Sequence, residues 1–496
     1  MKSNNMGHSK IDYRYKWYVM AATGMGIFLG TIDGSIVNIT LPTMVEYFET
    51  SVSTIQWVVL GYLLTVSTLM LSVGRLADIK GKKPVYTVGF VVFIISSLLC
   101  GLSQTIQTLI AARVLQGIGA SMVMALGMAI VTESFPPEER GRALGLTGAI
   151  VSIGLVIGPT LGGLIVEHLS WHWIFFVNIP IGLIGIPMII RYVPDLRPTG
   201  HQRFDFAGAI TLLLCLLCLL LGLSLGQERG FTNSPVLLLV LGFLVFLALF
   251  IMAERKAAQP MIDLTLFKNV LLRTSLITGF LTFVTQAGSL FLLPFYLQNS
   301  LGYSAQQAGF MMAVVPICQG ITAPISGALS DKIGTRPITA LGLAFLLVGY
   351  ICASTLWLET TALGYILRSI PVGLGFGIFQ SPNNSAVMGS APKEQLGVAS
   401  SLLTITRTLG QTTGIAVLGA VWASRTFFYA GQVYPGGATD APFAAQVSGQ
   451  HDTFILAVII TSASLVLAIM ALVRERNMIK LQVESISSSA DESIGK

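Results

Sequence analysis

Two residues of opposite charge in this sequence, Asp33 and Arg113, could together handle a proton. Asp33 is the only carboxylate well inside a predicted apolar span. An ionisable group at that depth costs at least about 3 kcal/mol, so it marks a substrate or proton pathway. At 1.5 Å per residue, Asp33 lies about 10–13 Å below the outer end of its helix near Pro42, and Arg113 about 9 Å below the start of its own near Gln107, on the same side. The two can meet. Burial favours a neutral carboxyl and a neighbouring guanidinium favours an ionised one, so a change in their separation loads or releases a proton. Holding Asp33 neutral near pH 7 takes about 4 kcal/mol. The alternative is a buried ion pair that only fixes helix packing.

Other polar residues fall in the same apolar setting. Arg407 sits about 15 Å into its helix, close to the midplane, and Arg368 nearer the outer end. With no obvious carboxylate partner, each needs backbone carbonyls, a hydrated cavity or an anionic cargo group. Candidate cavity residues on the N-terminal side are Asn38, Tyr62 and Asn178. On the C-terminal side they are Phe283, Gln286, Phe291, Gln319, Phe379, Gln380, Asn383 and Asn384, with Arg407 beside them. All five histidines, His8, His168, His172, His201 and His451, lie in tails or loops, and no metal cluster or catalytic constellation is visible, which argues against an enzyme. No phosphate-binding Gly-x4-Gly-Lys-Ser/Thr loop occurs, so an ion gradient rather than ATP, and no cofactor, is the expected energy source. The five cysteines fall in spans as small packing residues, including the pair Cys215 and Cys218.

The elements that must hold these residues are membrane helices. Of 496 residues 53% are hydrophobic and 10% charged, which excludes an ordinary water-soluble chain. A span takes roughly 20 apolar residues. Fourteen stretches qualify, beginning near Trp17, Ile55, Val85, Thr108, Ala143, Trp173, Phe206, Pro235, Leu271, Ala308, Ile338, Ala362, Val398 and Thr453. With the N-terminus inside, 24 of the 29 Lys and Arg fall in inner segments and only Arg229 and Arg425 in outer loops. That asymmetry is an orientation signal placing both termini in the cytoplasm, and it explains the net charge of +6 without nucleic acid. The first apolar run is too long for a cleavable signal and is expected to remain as the first helix.

The chain repeats itself. Gly74, Asp78, Gly81 and Pro84 recur as Gly327, Asp331, Gly334 and Pro337, and Gly141, Gly154 and Gly158 as Gly397, Gly410 and Gly414. Two homologous six-helix halves, 12–192 and 268–475, fit this spacing. The segment 193–267 then holds two extra Leu-rich helices, from about Phe206 to Leu225 and from Pro235 to Met252, whose faces suit lipid and suggest a peripheral insertion. The Ser-rich tail 476–496 reads as disordered. Arg425 to Asp452 reads as a long outer loop with a Pro435-Gly436-Gly437 turn.

The stretch Gly74-Arg-Leu-Ala-Asp78-Ile-Lys-Gly81-Lys82-Lys-Pro84 resembles the signature loop of the major facilitator superfamily. Thr31 to Pro42, with Asp33 and Asn38, resembles the first-helix motif of its drug:proton antiporters. Arg113, Gln116, Gly117 and Gly119 resemble their proton-transfer motif. Gly154, Gly158, Pro159, Gly162 and Gly163 resemble the antiporter motif, and Trp173, Phe176, Asn178 and Pro180 the fourteen-helix branch. The likeness covers about residues 12–475. It implies an all-α polytopic fold of two six-helix bundles plus two extra helices, a multi-pass protein of the cell membrane working as a monomer in the lipid bilayer. It further implies proton-coupled export of lipophilic, drug-like neutral or cationic compounds by alternating access. Gating would fall to Gly74, Asp78, Gly81, Lys82 and Asp331 in the loops and Gly154, Gly158 and Pro159 in helix five. One departure is that Ile79 stands where the family carries a basic residue, so Lys80, Lys82 or Arg75 would have to substitute. The rival is an exporter of an endogenous metabolite, such as an amino acid, lipid or siderophore, in which Arg407 grips an anionic group.

Overall fold

The computed structural model describes residues 13–136, 139–195, 205–230, 233–257, 268–390, 396–434 and 436–494. Among them the chain is helical, without strands. The N-terminal half runs through α1 (Lys16–Tyr47), the short α2 (Val52–Ile55) leading into α3 (Trp57–Lys80), α4 (Lys82–Gly101), α5 (Ile106–Ser134), α6 (Arg140–His168), and α7 (Trp173–Phe176) leading into α8 (Asn178–Tyr192). Next come α9 (Phe206–Arg229) and α10 (Ser234–Lys256). The C-terminal half has α11 (Val270–Phe295), α12 (Ala305–Met312) leading into α13 (Val314–Ile333), α14 (Thr335–Ser354), α15 (Ala362–Gly389), α16 (Leu396–Ala430) and α17 (Phe443–Ile494).

Twelve helical segments among the described residues are long and apolar enough to cross a membrane. The two other positions expected to span are helical as well, as α9 and α16. The described apolar stretch of α9 is short, Phe206–Leu219, and α16 is diluted by polar residues including Thr404, Thr406, Arg407, Thr408, Gln411 and Thr412. Polar side chains start several helices. Thr105 and Ser304 each form a reciprocal capping box at α5 and α12, satisfying amides that a helix start leaves free.

The repeat is carved into the backbone. Gly81 ends α3 at φ +93° and Gly334 ends α13 at φ +98°. Each turns the chain straight into the next helix through a left-handed conformation that only glycine adopts cheaply. Packing repeats too: α3 and α4 lie against α5 as α13 and α14 lie against α15. The halves touch along α6 against α12 and α13 on one side and α3 against α16 on the other, with α1 against α11 and α12 as well.

The inserted pair is asymmetric. α10 packs on α9 and presents Leu237, Leu238, Leu241 and Leu244 outward. α9 touches both α3 and α16, burying Leu212 and Leu216 in the same core cluster as Leu64 and Leu402. The insertion is therefore peripheral only in its second helix, because the apolar face of α9 fills the angle between the halves.

We call the end of the molecule at which α1 begins the basic face. Contacts between the halves gather toward the opposite face. Gln298 Nε2 donates to the Ile39 carbonyl at 2.8 Å, Gly163 lies against the Ala305 backbone, and Gly309 against Pro159. Beside the seam, Ala438 is buried in the core with Val52 and Trp422, and Gly437 abuts Ser51. At the basic face, Gly74, Gly148 and Gly389 have open space where a side chain would go. Two expected irregular segments are more regular than composition suggested. Helix persists to Ala430 and resumes at Phe443, so the loop between Arg425 and Asp452 shrinks to 431–442. α17 continues to Ile494 through the Ser-rich segment, where neither Pro nor Gly interrupts its backbone hydrogen bonds.

Candidate functional site

Asp33 lies on α1 with no solvent exposure. Arg113 Nη1 reaches its Oδ2 at 2.6 Å from α5, so the contact expected from helix depth is present. Gln116, one turn along α5, donates through Nε2 to Asp33 Oδ1 at 2.9 Å. Asn178 donates to the same oxygen at 3.4 Å. The carboxylate thus faces three donors.

The guanidinium is fixed as tightly as its partner. Arg113 Nε donates to the Val58 carbonyl at 2.9 Å, and Nη1 donates to Gln116 Oε1 at 2.6 Å. Its flat face lies 4.3 Å from the Tyr62 ring centre and 5.8 Å from that of Phe175, cation–π contacts that strengthen when water is excluded. Ser97 on α4 closes the network, accepting from Gln116 Nε2 at 2.8 Å and from Asn178 Nδ2 at 3.3 Å. Breaking a buried pair held in this way by removing one partner costs about 3–5 kcal/mol.

Local sequence explains how these helices converge. Gly117 and Gly119 leave no room for side chains, so α5 meets the backbones of α3 near Tyr62 and α4 near Gly89 and Phe93. Gly154 and Gly158 likewise bring α6 onto Thr31 and Ser35 of α1, the helix-on-helix approach that small residues allow in membranes. Asn178 opens α8 at its break from α7, which swings its amide toward Asp33.

The other sequence candidates disperse. Tyr62 and Asn178 belong to the ion-pair network. Asn38 bonds to the Gly34 carbonyl of its own helix at 3.0 Å. Phe283, Phe291 and Phe379 are buried in helix packing, with Phe283 edge-on to Phe376. Gln319 Nε2 donates to Gln380 Oε1 at 2.9 Å, joining α13 to α15. Gln286 and Arg407 are half-buried and Asn384 is exposed. Asn383 is 2% exposed, and its side-chain oxygen has no hydrogen-bond partner among the described residues. Among the described residues Arg407 has no ion-pair or hydrogen-bond partner, whereas Arg368 donates to Thr355 Oγ1 at 2.9 Å and to the Gly364 carbonyl at 3.0 Å.

Of the gating candidates, Lys82 pairs with Glu133 and Asp331 is exposed at the basic face. The side chains of Asp78 and Arg75 lie outside the described residues. Gly158 and Pro159 are buried in α6, where the Pro159 carbonyl contacts Gly309 across the halves. Sequence reasoning missed Ser97, the Val58 carbonyl and Phe175. Gln116 was visible only through its motif.

The comparisons with known proteins agree with this architecture. The pattern of the Major Facilitator Superfamily matches residues 23–415. The riboflavin transporter RibZ of Clostridioides difficile (strain 630) is 38% identical over 411 residues, 83% of this chain and 89% of the relative. The multidrug transporter protein MdtP of Bacillus subtilis (strain 168) is 34% identical over 435 residues, 86% and 80% of the two chains. The multidrug resistance protein Stp of Mycobacterium tuberculosis (strain ATCC 25618 / H37Rv) is 33% identical over 418 residues, 83% and 78%. A bacterial homologue of the human lysosomal transporter Spinster, solved inward-facing and unoccupied, shares the fold with a TM-score of 0.65 at 16% identity, covering 92% of this chain and 97% of its own. This chain is a multi-pass membrane transport protein rather than an enzyme, and it belongs to the major facilitator superfamily.

Proposed function

We propose that this protein is a proton-coupled multidrug efflux antiporter of the cell membrane, exporting lipophilic neutral or cationic compounds. In this reading all fourteen long helical segments span the bilayer, both termini are cytoplasmic, and a monomer suffices. The two halves rock about the cargo and open to the two faces in turn. A proton gradient drives the cycle without a cofactor.

The observation that carries the reading is the wholly buried Asp33 carboxylate, met among the described residues by the donors of Arg113, Gln116 and Asn178. Any movement that withdraws Arg113 leaves this carboxyl without its cationic partner in an apolar place, which is where a proton can be taken up. Similarity to MdtP and Stp supports the drug-like cargo class. The structural and electrostatic requirements then coincide: rearranging α5 against α1 both moves the helices and changes the proton's affinity.

A second reading, export of an endogenous metabolite, draws on the similarity to a riboflavin transporter and on the unpartnered Arg407, which could hold an anionic group. Purified protein in liposomes with an internal pH dye decides between them. A panel of dyes, antibiotics and metabolites is added in turn, and lipophilic drugs are expected to evoke proton movement. If only metabolites do so, the second reading stands. If nothing in the panel moves protons, proton coupling fails.

A further inference from the structure

Two polar groups around Asp33 are not fully used: the Tyr62 hydroxyl, which has no hydrogen-bond partner among the described residues, and the amide of Asn178. Its nitrogen makes two long contacts, 3.4 Å to Asp33 Oδ1 and 3.3 Å to Ser97 Oγ. Its oxygen, on a side chain 1% exposed, has no hydrogen-bond partner among the described residues. A buried carbonyl left in that condition loses its water without compensation. Gln116 stands beside it fully engaged: its oxygen accepts from Arg113 at 2.6 Å, and its nitrogen donates to Asp33 at 2.9 Å and Ser97 at 2.8 Å. Turning the Gln116 amide over would point its N–H groups at the guanidinium.

Proton loading changes what Asp33 requires. An ionised carboxylate only accepts, whereas a protonated one also carries an O–H that needs an acceptor. Arg113 has no acceptor to offer, and Gln116 has committed its own. The other titratable groups near the carboxylate are Tyr62, stacked on Arg113, and Cys100, whose Sγ lies 3.7 Å from Gln116 Oε1. Ser97 spends its proton on the Phe93 carbonyl at 2.8 Å.

We infer that Asn178 turns its amide over when Asp33 is protonated, so that its idle oxygen accepts the new O–H. This rests on the reading of Asp33 as the proton carrier. A proton from hydronium bonds to Asp33 Oδ1 and leaves water behind. Rotation about the last side-chain bond of Asn178 then exchanges its nitrogen and oxygen, giving up two long bonds for one short O–H···O bond. On release, the O–H bond breaks, the proton returns to water and the nitrogen swings back. Asn178 is thus a positioning residue that stabilises both protonation states from one location.

Infrared difference spectra of the purified full chain, recorded between high and low pH, test this. The reference is the protonated-carboxyl stretch that disappears in Asp33→Asn. In Asn178→Leu that band should move to higher wavenumber, as for a carboxyl whose O–H has lost its acceptor, and pH-driven cargo flux should fall several-fold. In Asn178→Gln, which keeps an amide, the band should stay close to its original position. Asn178→Ala serves the same purpose if the leucine variant does not fold. In the unsubstituted protein carrying ¹³C-amide asparagine, an asparagine carbonyl band should move to lower wavenumber on acidification and cease to do so in Asp33→Asn. An Asp33 band that keeps its position in both Asn178→Leu and Asn178→Ala overturns the role of Asn178 and leaves proton carriage by Asp33 intact. The absence of any Asp33 band across the pH range overturns both.

Discussion

Gly163 offers the sharpest test of how the two halves engage. It sits on α6 where that helix crosses the start of α12, and a methyl group placed there would lie 3.0 Å from the Ala305 carbonyl carbon and 3.1 Å from the Gln306 Cα, with the Ala305 oxygen closer still. These are backbone atoms, which cannot rotate away. Gly309 makes the reciprocal approach, with a methyl there 3.1 Å from the Pro159 carbonyl carbon and 3.4 Å from the Gly163 Cα. Gly163→Ala must therefore separate the helices on the opposite face. Overpacking of this kind costs about 1–3 kcal/mol. Because the clash disappears when that face opens, the cost becomes a population shift of about 5- to 150-fold toward the open form. Gly158→Ala is the control. It crowds Ser35 of α1 within one half, so it burdens both conformations alike. Spin labels at the exposed Leu169 and Leu363, in a background without native cysteines, report the separation at that face by double electron–electron resonance. The expected result is a longer distance population in Gly163→Ala and an unchanged distribution in Gly158→Ala. Identical distributions in Gly163→Ala and the parent would refute the claim that this crossing holds the face closed.

Two further substitutions probe the charged groups. Arg113→Lys keeps the charge but loses the planar fork that reaches Asp33, Gln116 and the Val58 carbonyl together; losing one charged hydrogen bond, about 1.5–3 kcal/mol, should lower pH-driven transport about 10- to 100-fold at matched expression. Arg407→Gln removes a membrane cation with no partner among the described residues, so the melting temperature in detergent should hold or rise. Transport assays on the same variant should show losses concentrated in cargo bearing an acidic group.

The sequence made the Asp33–Arg113 meeting legible because helix rise converts position into depth, and both residues lie at similar depth below the same face. It made the two halves legible through paired glycines, and Gly81 and Gly334 end their helices with nearly the same backbone angles. Rotation about a helix axis was not legible. Nothing in the sequence separates Ser97, which joins the network, from Ser96, which bonds to the Val92 carbonyl. For the same reason Phe283, Phe291 and Phe379 looked like cavity walls although they are buried in packing. Rotation also decides α9: its leucines look lipid-facing one by one, yet Leu212 and Leu216 point between the halves.

The central claim is that Asp33 exchanges a proton for cargo, and one measurement bears on it directly. Asp33→Asn and the parent protein are reconstituted at equal density, and cargo uptake is followed with and without an imposed pH gradient, with cargo binding measured on the same samples. Asparagine stays neutral and cannot titrate, so the account predicts that cargo still binds while gradient-driven accumulation disappears. Accumulation that survives at the parent rate would contradict it.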